Sequence, residues 1–546
     1  MDYGAATQGS AQGSAESETM PVLPAETAAA HRHGRTAKLR VPASWALVAV
    51  LAVQAALSLR LVRADTAFED EATYLWAGHL EWAHLLHGTP LPQFPAYFSG
   101  APVIYPPIGA LADSIGGLTG ARVLSLIFML GATVALWATA GRLFGRRAAF
   151  FAAALFAVLG PTLHLGAFAT YDAMSICLIA LAAWLVVQAG ERQDATVWMI
   201  AAGVALALAD ATAYTYALLD IVVLLLALVT AFPQPGGKFA ASRPVTILAV
   251  TVAILTPALL IGGSRYIHGV EQTTIFRTAG ADSPLTVLGQ SWSWTGIVVI
   301  VAVCGAIFSW VTRPGRPQAW LLTILAGAAL LVPTEQAGLG TTASLNKHVD
   351  LGVWFAAIAA GYAVDRLIEA APLGTMRAVT SGACVIALSF PVALGAGQSR
   401  IFSTSWPNST AFIAILGPLV AHTNGRLLVE DPSIAEYYLP AGSQWQRWSG
   451  TRNIVLPSGA PTGGPSDAAG VVGDGNVGTY VLYIEENYFS LVALNFSDTV
   501  SLDKRISAAL IHNPHYGQPV QVVPYGAGPA GPALGTFVIW RYEPQR

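Results

Sequence analysis

The sequence predicts a polytopic α-helical membrane protein of about 11 transmembrane helices, ending in a small water-facing α/β domain. Three observations carry this. Of 546 residues, 54% are hydrophobic and only 11% charged, and the mean hydropathy is +0.55, far from the balance of a soluble globular chain. Eleven mostly apolar runs reach the roughly 17 to 25 residues that a helix needs to cross a bilayer. After residue 396 these runs stop, and short β-like segments alternate with turn residues.

Residues 1–41 are rich in Ala, Gly, Ser and Glu and close on His31, Arg32, His33, Arg35, Lys38 and Arg40. This composition predicts a disordered cytoplasmic tail with a basic stop. A signal peptide would carry its basic region at the very start and a cleavage site after a shorter apolar core, so 44–62 reads as a retained first span. Ten more follow at 120–140, 147–168, 171–189, 195–212, 214–232, 244–263, 291–312, 318–334, 350–366 and 378–396.

Arg142, Arg146, Arg147, Arg192, Lys238, Arg243, Arg313, Arg316, Arg366 and Arg377 fall in alternate short loops, on the side of the basic tail. The positive-inside rule makes that side the cytoplasm of a plasma-membrane protein. The opposite loops, 63–119, 264–290, 335–349 and everything after about 397, carry few cations. The chain thus divides into the tail (1–41), a transmembrane domain (42–396) whose long first outer loop is 63–119, and an extracytoplasmic domain (397–546). In the last, Leu427–Val429, Tyr480–Ile484 and Thr536–Trp540 read as strands. Residues 457–478 read as a loop or linker, and 411–420, short and holding Pro418, as a packed helix and not a twelfth span.

Several classes fall away. Cys177, Cys304 and Cys384 lie inside apolar runs, so neither a disulfide framework nor a cysteine metal site is expected. A net charge of −3 points to no nucleic-acid partner. There is no Gly-rich phosphate loop and no nucleotide-binding pattern.

The stretch AFEDEATYLWAGH, 67–79, places Glu69, Asp70 and Glu71 side by side just after the first span. Carboxylates favour the positive end of a helix dipole, which accounts for them as the start of a loop helix. Their setting favours chemistry: Tyr74, Trp76 and Trp82 follow, and the same loop closes on an apolar segment, 97–118, interrupted by Pro106 and Pro107. That segment reads as a membrane-dipping or interfacial helix. Such a re-entry builds a cavity at the interface, where polar groups are tolerated.

Asp70-Glu71 in the first outer loop, Tyr105-Pro106-Pro107-Ile108 before the second span, Ala121-Arg122 opening it and Tyr171-Asp172 opening the fourth resemble the C-type membrane glycosyltransferases. The resemblance is to their family 39 branch, the protein O-mannosyltransferases and aminoarabinose transferases. It covers about 44–400 in topology and 65–190 in motifs. It implies that Asp70 is the catalytic base or sits beside the acceptor, that Glu71 supports it, and that Asp172 holds substrate. The chemistry agrees, since an acceptor hydroxyl needs a carboxylate within about 3 Å to take its proton. Asp172 also suits a plain helix N-terminal position.

The sequence departs from that family in two places. Relatives often carry Lys or His where Tyr105 precedes the Pro-Pro pair, and a Lys near the fifth and sixth spans, where this chain reads Asp210-Ala211-Thr212-Ala213-Tyr214. Lys347 and His348, just before the tenth span, are the replacement donors expected at a lipid phosphate, with Tyr105 and Arg122 adding hydrogen bonds. Glu69, Tyr74, Arg265 and Arg277 join the substrate-binding candidates, although Arg265 and Arg277 equally suit snorkelling to head groups. His84 and His87 near Glu81 suit ordinary surface histidines better than a metal site. Asn408-Ser409-Thr410 and Asn495-Phe496-Ser497 match a glycan acceptor pattern that is common by chance.

The expectation is therefore an enzyme that moves a sugar from a polyprenyl-phosphate donor, held in membrane lipid, to a hydroxyl of a cell-envelope glycan, lipid or protein. No cofactor is expected, and assistance by a divalent metal stays open at this point. The alternative is a transporter or flippase of a lipid-linked or small polar substrate. Transporters favour broken spans in matching halves, and the one broken segment here has no counterpart.

Overall fold

The structure, a computed structural model, describes residues 43–92, 94, 98, 103–190, 195–231, 240–274, 279–452, 454–455, 461–462, 474–526 and 533–544. The tail predicted over 1–41, Arg192, Lys238, Arg277 and most of the linker predicted over 457–478 lie outside the described residues.

The helices run in the order α1 (Ala43–Leu59), α2 (Glu69–His87), α3 (Tyr105–Phe144), α4 (Arg146–Ala157), α5 (Gly160–Leu165), α6 (Tyr171–Gln188) and α7 (Thr196–Thr212). There follow α8 (Tyr214–Ala231), α9 (Ser242–Thr273), α10 (Pro284–Thr312), α11 (Pro317–Leu339), α12 (Leu345–Ala370) and α13 (Thr375–Phe402). All eleven predicted runs are helical. Among the described residues eight helices are long and apolar enough to cross a membrane. Of the other three runs, α1 and α7 have 17 residues each. The run 147–168 is divided into α4 and α5, because Pro161 lacks the N–H that a helix interior requires and instead opens a new helix.

The prolines at 106 and 107 act in the same way. They do not break the apolar segment, as its composition suggested, but sit in the first turn of α3, directly after Tyr105. The break lies at Gly117, whose φ of 61° only glycine adopts freely. Residues 105–116 thereby become a short limb that turns away from the long span 118–144 and packs on α2.

The most enclosed span is α12, 78% buried over its apolar window. It packs on α10, α4 and α11. Its stripe of Gly352, Ala356, Ala357, Ala359, Ala360 and Gly361 lets neighbouring backbones come close. A Cβ on Gly352 would stand 2.3 Å from the Ala328 carbonyl oxygen, and one on Gly361 2.3 Å from that of Ala148. The N-terminal turn of this rigid helix carries Lys347 and His348.

The C-terminal region has a five-stranded sheet of β1 (Arg426–Val429), β2 (Trp448–Ser449), β5 (Phe489–Leu494), β6 (Gln521–Gly526) and β7 (Ala533–Arg541), in the order β2-β1-β5-β7-β6. A separate hairpin joins β3 (Ile454–Val455) to β4 (Pro461–Thr462). β1 is parallel to β2 and β5, and β7 is antiparallel to β5 and β6. One face is covered by α14 (Thr410–Ala421), with Phe412 stacked on Phe537 at 3.9 Å, and by α15 (Ser433–Tyr438). The other is covered by α16 (Asp474–Glu485) and α17 (Val500–His512). The segment Tyr480–Ile484, read as a strand, is thus helical. Tyr480 and Ile484 are buried four residues apart while Leu482 is 50% exposed, a helical and not an alternating pattern.

Candidate functional site

The acidic stretch forms the first turn of α2, with Phe68 in extended conformation ahead of it. Its three carboxylates have three different fates. Glu71 is wholly buried and forms a two-pronged pair with Arg122, Nε to Oε1 at 2.8 Å and Nη2 to Oε2 at 2.6 Å. Glu71 also accepts the backbone N–H groups of Phe68 (3.0 Å) and Ala169 (2.7 Å). Arg122 donates further to the carbonyls of Val62, Asp65 and Thr66.

This is a clamp between the first loop, α3 and the turn before α6. It accounts for all five N–H donors of the guanidinium. Glu71, expected to support Asp70, and Arg122, expected at a donor phosphate, are thus paired with each other in this structure. Both groups have their hydrogen-bonding positions taken up by internal partners.

Asp70, one residue earlier, points elsewhere. Its Oδ2 accepts from Lys347 Nζ at 2.6 Å, with the aspartate side chain 30% exposed and the lysine 6%. The pair joins residues 277 positions apart. Lys347 also lies over the Phe168 ring, 5.6 Å from its centroid. The loop before α12 is tethered by Asp282, which accepts both the backbone N–H and the hydroxyl of Thr342 at 2.7 Å. Ser344 then takes a left-handed φ of 59° as the helix N-cap. A non-glycine residue in that region costs about 1 to 2 kcal/mol, and it sets the angle at which Lys347 and His348 enter the site.

Asp172 has no exposure and accepts hydrogen bonds from the hydroxyls of Thr170 and Tyr216. His348 Nε2 stands 3.8 Å from its Oδ1. Gln336 Nε2 lies 2.7 Å from His348 Nδ1. If that amide donates, the imidazole keeps its proton on Nε2, facing Asp172. The rings of Tyr74 and Tyr171 meet at 5.0 Å, and Tyr216 lies edge-on to His348 at 5.8 Å. Burial pushes the Tyr74 hydroxyl well above its ordinary range, so it stays neutral. Asp70, Lys347, His348, Asp172 and Tyr74 are therefore brought together.

Glu69 turns toward the C-terminal region. The neighbouring carboxylate of Asp431, and then burial, push its own carboxyl well above the usual range. Asp431 is itself raised to about 6, chiefly by burial. Tyr105 is fully buried in the limb 105–116. Arg265 lies on α9 with its side chain outside the described residues, and Arg277 lies outside them altogether.

Sequence reasoning missed the participants supplied by distant elements. Gln336 orients His348. Tyr437 donates to Asp113 at 2.7 Å while His79 meets the other oxygen of Asp113 at 2.7 Å, and this chain joins α15, the limb 105–116 and α2. Trp76 Nε1 donates to the Gly442 carbonyl at 3.0 Å. The local signal for these contacts was slight: a polar residue on an otherwise apolar limb, and tryptophans on a loop helix.

Residues 108–261 match the sequence family described as dolichyl-phosphate-mannose-protein mannosyltransferase. No curated protein sequence matches the chain. Among solved structures the chain is similar to ArnT from Cupriavidus metallidurans bound to undecaprenyl phosphate. The TM-score is 0.57 at 14% identity, over 92% of this chain and 99% of that one. It is also similar to the oligosaccharyltransferase of Archaeoglobus fulgidus tethered to an acceptor peptide, with a TM-score of 0.57 at 13% identity, over 90% and 74% of the two chains. The same archaeal protein, AglB, in complex with an inhibitory peptide and a dolichol-phosphate, gives 0.51 at 13%, over 90% and 74%. At these identities the likeness is one of fold. The likeness in fold extends over nearly the whole chain.

Proposed function

With a C-type, family 39-like glycosyltransferase fold as the premise, we propose that this protein transfers a sugar from a polyprenyl-phosphate donor to an acceptor hydroxyl at the outer face of the plasma membrane. Asp70 is the general base. The observation that carries the reading is the Asp70–Lys347 pair at 2.6 Å. It sets a proton acceptor and a cation side by side, at the end of the most enclosed span.

The reaction is one displacement. The acceptor oxygen attacks the anomeric carbon, its proton passes to a carboxylate oxygen of Asp70, and the bond from that carbon to the phosphate oxygen breaks. Negative charge then grows on the departing polyprenyl phosphate. Lys347 supplies a compact charge with three donors, in a poorly solvated site where such stabilisation counts most. His348 and the buried hydroxyls around Asp172 lie beside it.

In the free protein Lys347 is held by Asp70. A lipid phosphate competes for the ammonium, and as Lys347 turns to it Asp70 is released to act as base. Donor arrival thereby activates the base.

Relatives in this fold have been solved with undecaprenyl phosphate and with dolichol-phosphate, which supports a lipid-borne donor here. The test is incubation of the purified protein with radiolabelled polyprenyl-phosphate sugars and a membrane extract as acceptor. Transfer of label into acid-stable product supports the reading. Movement of intact donor across a vesicle bilayer without transfer would overturn it.

A further inference from the structure

In the C-terminal sheet β1 lies between β2 and β5 and is parallel to both. The chain leaves β1 through α15, on one face of the sheet, toward β2. It leaves β5 through α17, on the opposite face, toward β6. The two exits diverge, so β1 and β5 form a topological switch point. In open α/β sheets ligands bind in the crevice outside the carboxyl ends of the strands at such a point.

The loops 430–432, after β1, and 495–499, after β5, flank that crevice. Backbone N–H groups gathered at the start of a helix suit an anion, and here they are already taken. Glu430 accepts those of Asn495, Phe496, Ser497, Asp498 and Thr499 at 2.6 to 3.3 Å. The place where this architecture receives an anionic ligand is filled by the protein's own carboxylate.

What remains open is a set of donors and acceptors. Arg452, from the loop after β2, sets its Nη2 3.2 Å from Asp498 Oδ2, with the two side chains 33% and 34% exposed. Its Nε has no acceptor among the described residues. Glu69 arrives from the transmembrane side, because α2 packs on α15 and the Ala67 N–H donates to the Tyr438 hydroxyl at 2.8 Å. Asp431 is the charge that bears most strongly on the Glu69 carboxyl, and Asp70, Arg452 and Asp498 bear on it as well. Glu69 and Asp431 are both partly exposed.

The balance of charge selects the ligand. Asp498 is offset by Arg452, and Glu69, held protonated beside Asp431, presents an O–H. Among the described residues no three acidic, histidine or cysteine side chains are arranged to hold a metal ion. A sugar hydroxyl both donates and accepts, so a chain of uncharged sugars matches guanidinium donors next to carboxylate acceptors. Asp431, whose raised pKa weakens the fold at neutral pH, fits a group kept for binding at a cost in stability.

We propose that this crevice binds a neutral glycan through adjacent hydroxyls, one accepting from Arg452 and one donating to Asp431, and so leads the reacting hydroxyl to Asp70. The inference rests on the transferase reading, since Glu69 and Asp70 are consecutive and the bound glycan is then the acceptor. It assigns acceptor recognition to the C-terminal region and makes the acceptor an uncharged sugar chain.

The experiment applies fluorescently labelled full-length protein in detergent to an array of neutral, carboxylated and aminated oligosaccharides, with no donor present. The wild type should retain neutral oligosaccharides above the two charged classes. Asp431→Asn and Arg452→Gln should each weaken that retention by about tenfold, the scale of one hydrogen bond to a charged group. Arg452 is partly exposed, so its variant gives a reading independent of any change in folding at Asp431. Preference for a charged class, retention of none, or unchanged retention in both variants would overturn the assignment. Because no donor is present, the two readings separate: retention without any sugar transfer would refute the transferase and leave the glycan site, whereas transfer without retention would overturn the site alone.

Discussion

Glu71→Gln removes one charge and changes little else in shape, so the clamp predicts its effect closely. Each carboxylate oxygen of Glu71 accepts two N–H groups, Oε1 from Arg122 and Ala169 and Oε2 from Arg122 and Phe68. Whichever oxygen becomes an amide nitrogen meets two donors face to face. Arg122, 1% exposed, keeps its charge with no counter-ion. Breaking one side of a buried pair costs about 3 to 5 kcal/mol, which lowers the melting midpoint by several degrees at a fixed scan rate. Scanning fluorimetry in one detergent measures it. Adding Arg122→Met removes the unpaired cation and should recover part of the loss, a non-additivity expected of residues in contact. The Val62 and Asp65 carbonyls, left without the Arg122 donor, keep the recovery partial. An unchanged midpoint in Glu71→Gln, with activity alone lost, would refute the positioning role and return Glu71 to the chemistry.

Lys347→Ala should slow transfer by about 10²-fold, the scale of a lost transition-state stabiliser, and weaken donor binding, with Lys347→Arg restoring part of both. Unchanged kinetics there, with the loss appearing in Arg265→Ala or Arg277→Ala, would move the phosphate to another loop. The Asp431 carboxyl is raised by burial to about 6, so the folded state binds more protons than the unfolded one between about pH 4 and pH 6. This contribution is fully present at the acid end and is lost as pH rises through 6. Asp431→Asn should therefore raise the melting midpoint at pH 7.5 and flatten its dependence over that window, and a lowered midpoint would contradict the sign. A reporter fused after Gln398 should read as external, because the basic loops set the opposite side as cytoplasmic. A cytoplasmic readout would defeat the outer-face assignment.

Much of the architecture was legible because apolar length is a local signal. Every run chosen for its hydropathy is helical, and the Asp70, Asp172 and Lys347-His348 motifs converge although hundreds of residues separate them. What was not legible depends on partners. Glu71 and Asp70 are neighbours of the same chemical type, and only the position of Arg122, 51 residues on from Glu71, decides that one is saturated and the other half-open. Pro106 and Pro107 read as a break because proline disrupts a helix interior, yet at a first turn the missing N–H costs nothing. Tyr480–Ile484 read as a strand because five apolar and aromatic residues in a row satisfy either period until the buried face is known. Asp431 carried no signal, since its effect on Glu69 exists only once the C-terminal region folds against α2.

The most direct test of the central claim is the single-turnover rate of Asp70→Asn with a labelled polyprenyl-phosphate sugar. The substitution keeps size and most hydrogen bonding while removing the proton-accepting charge. The account predicts a fall of about 10² to 10⁴ in rate with donor still bound, and a fall in melting midpoint smaller than that of Glu71→Gln, because Asp70 is 30% exposed and Asp172 stays near Lys347. Transfer near the wild-type rate in Asp70→Asn, with the loss found in Glu69→Gln instead, would contradict it.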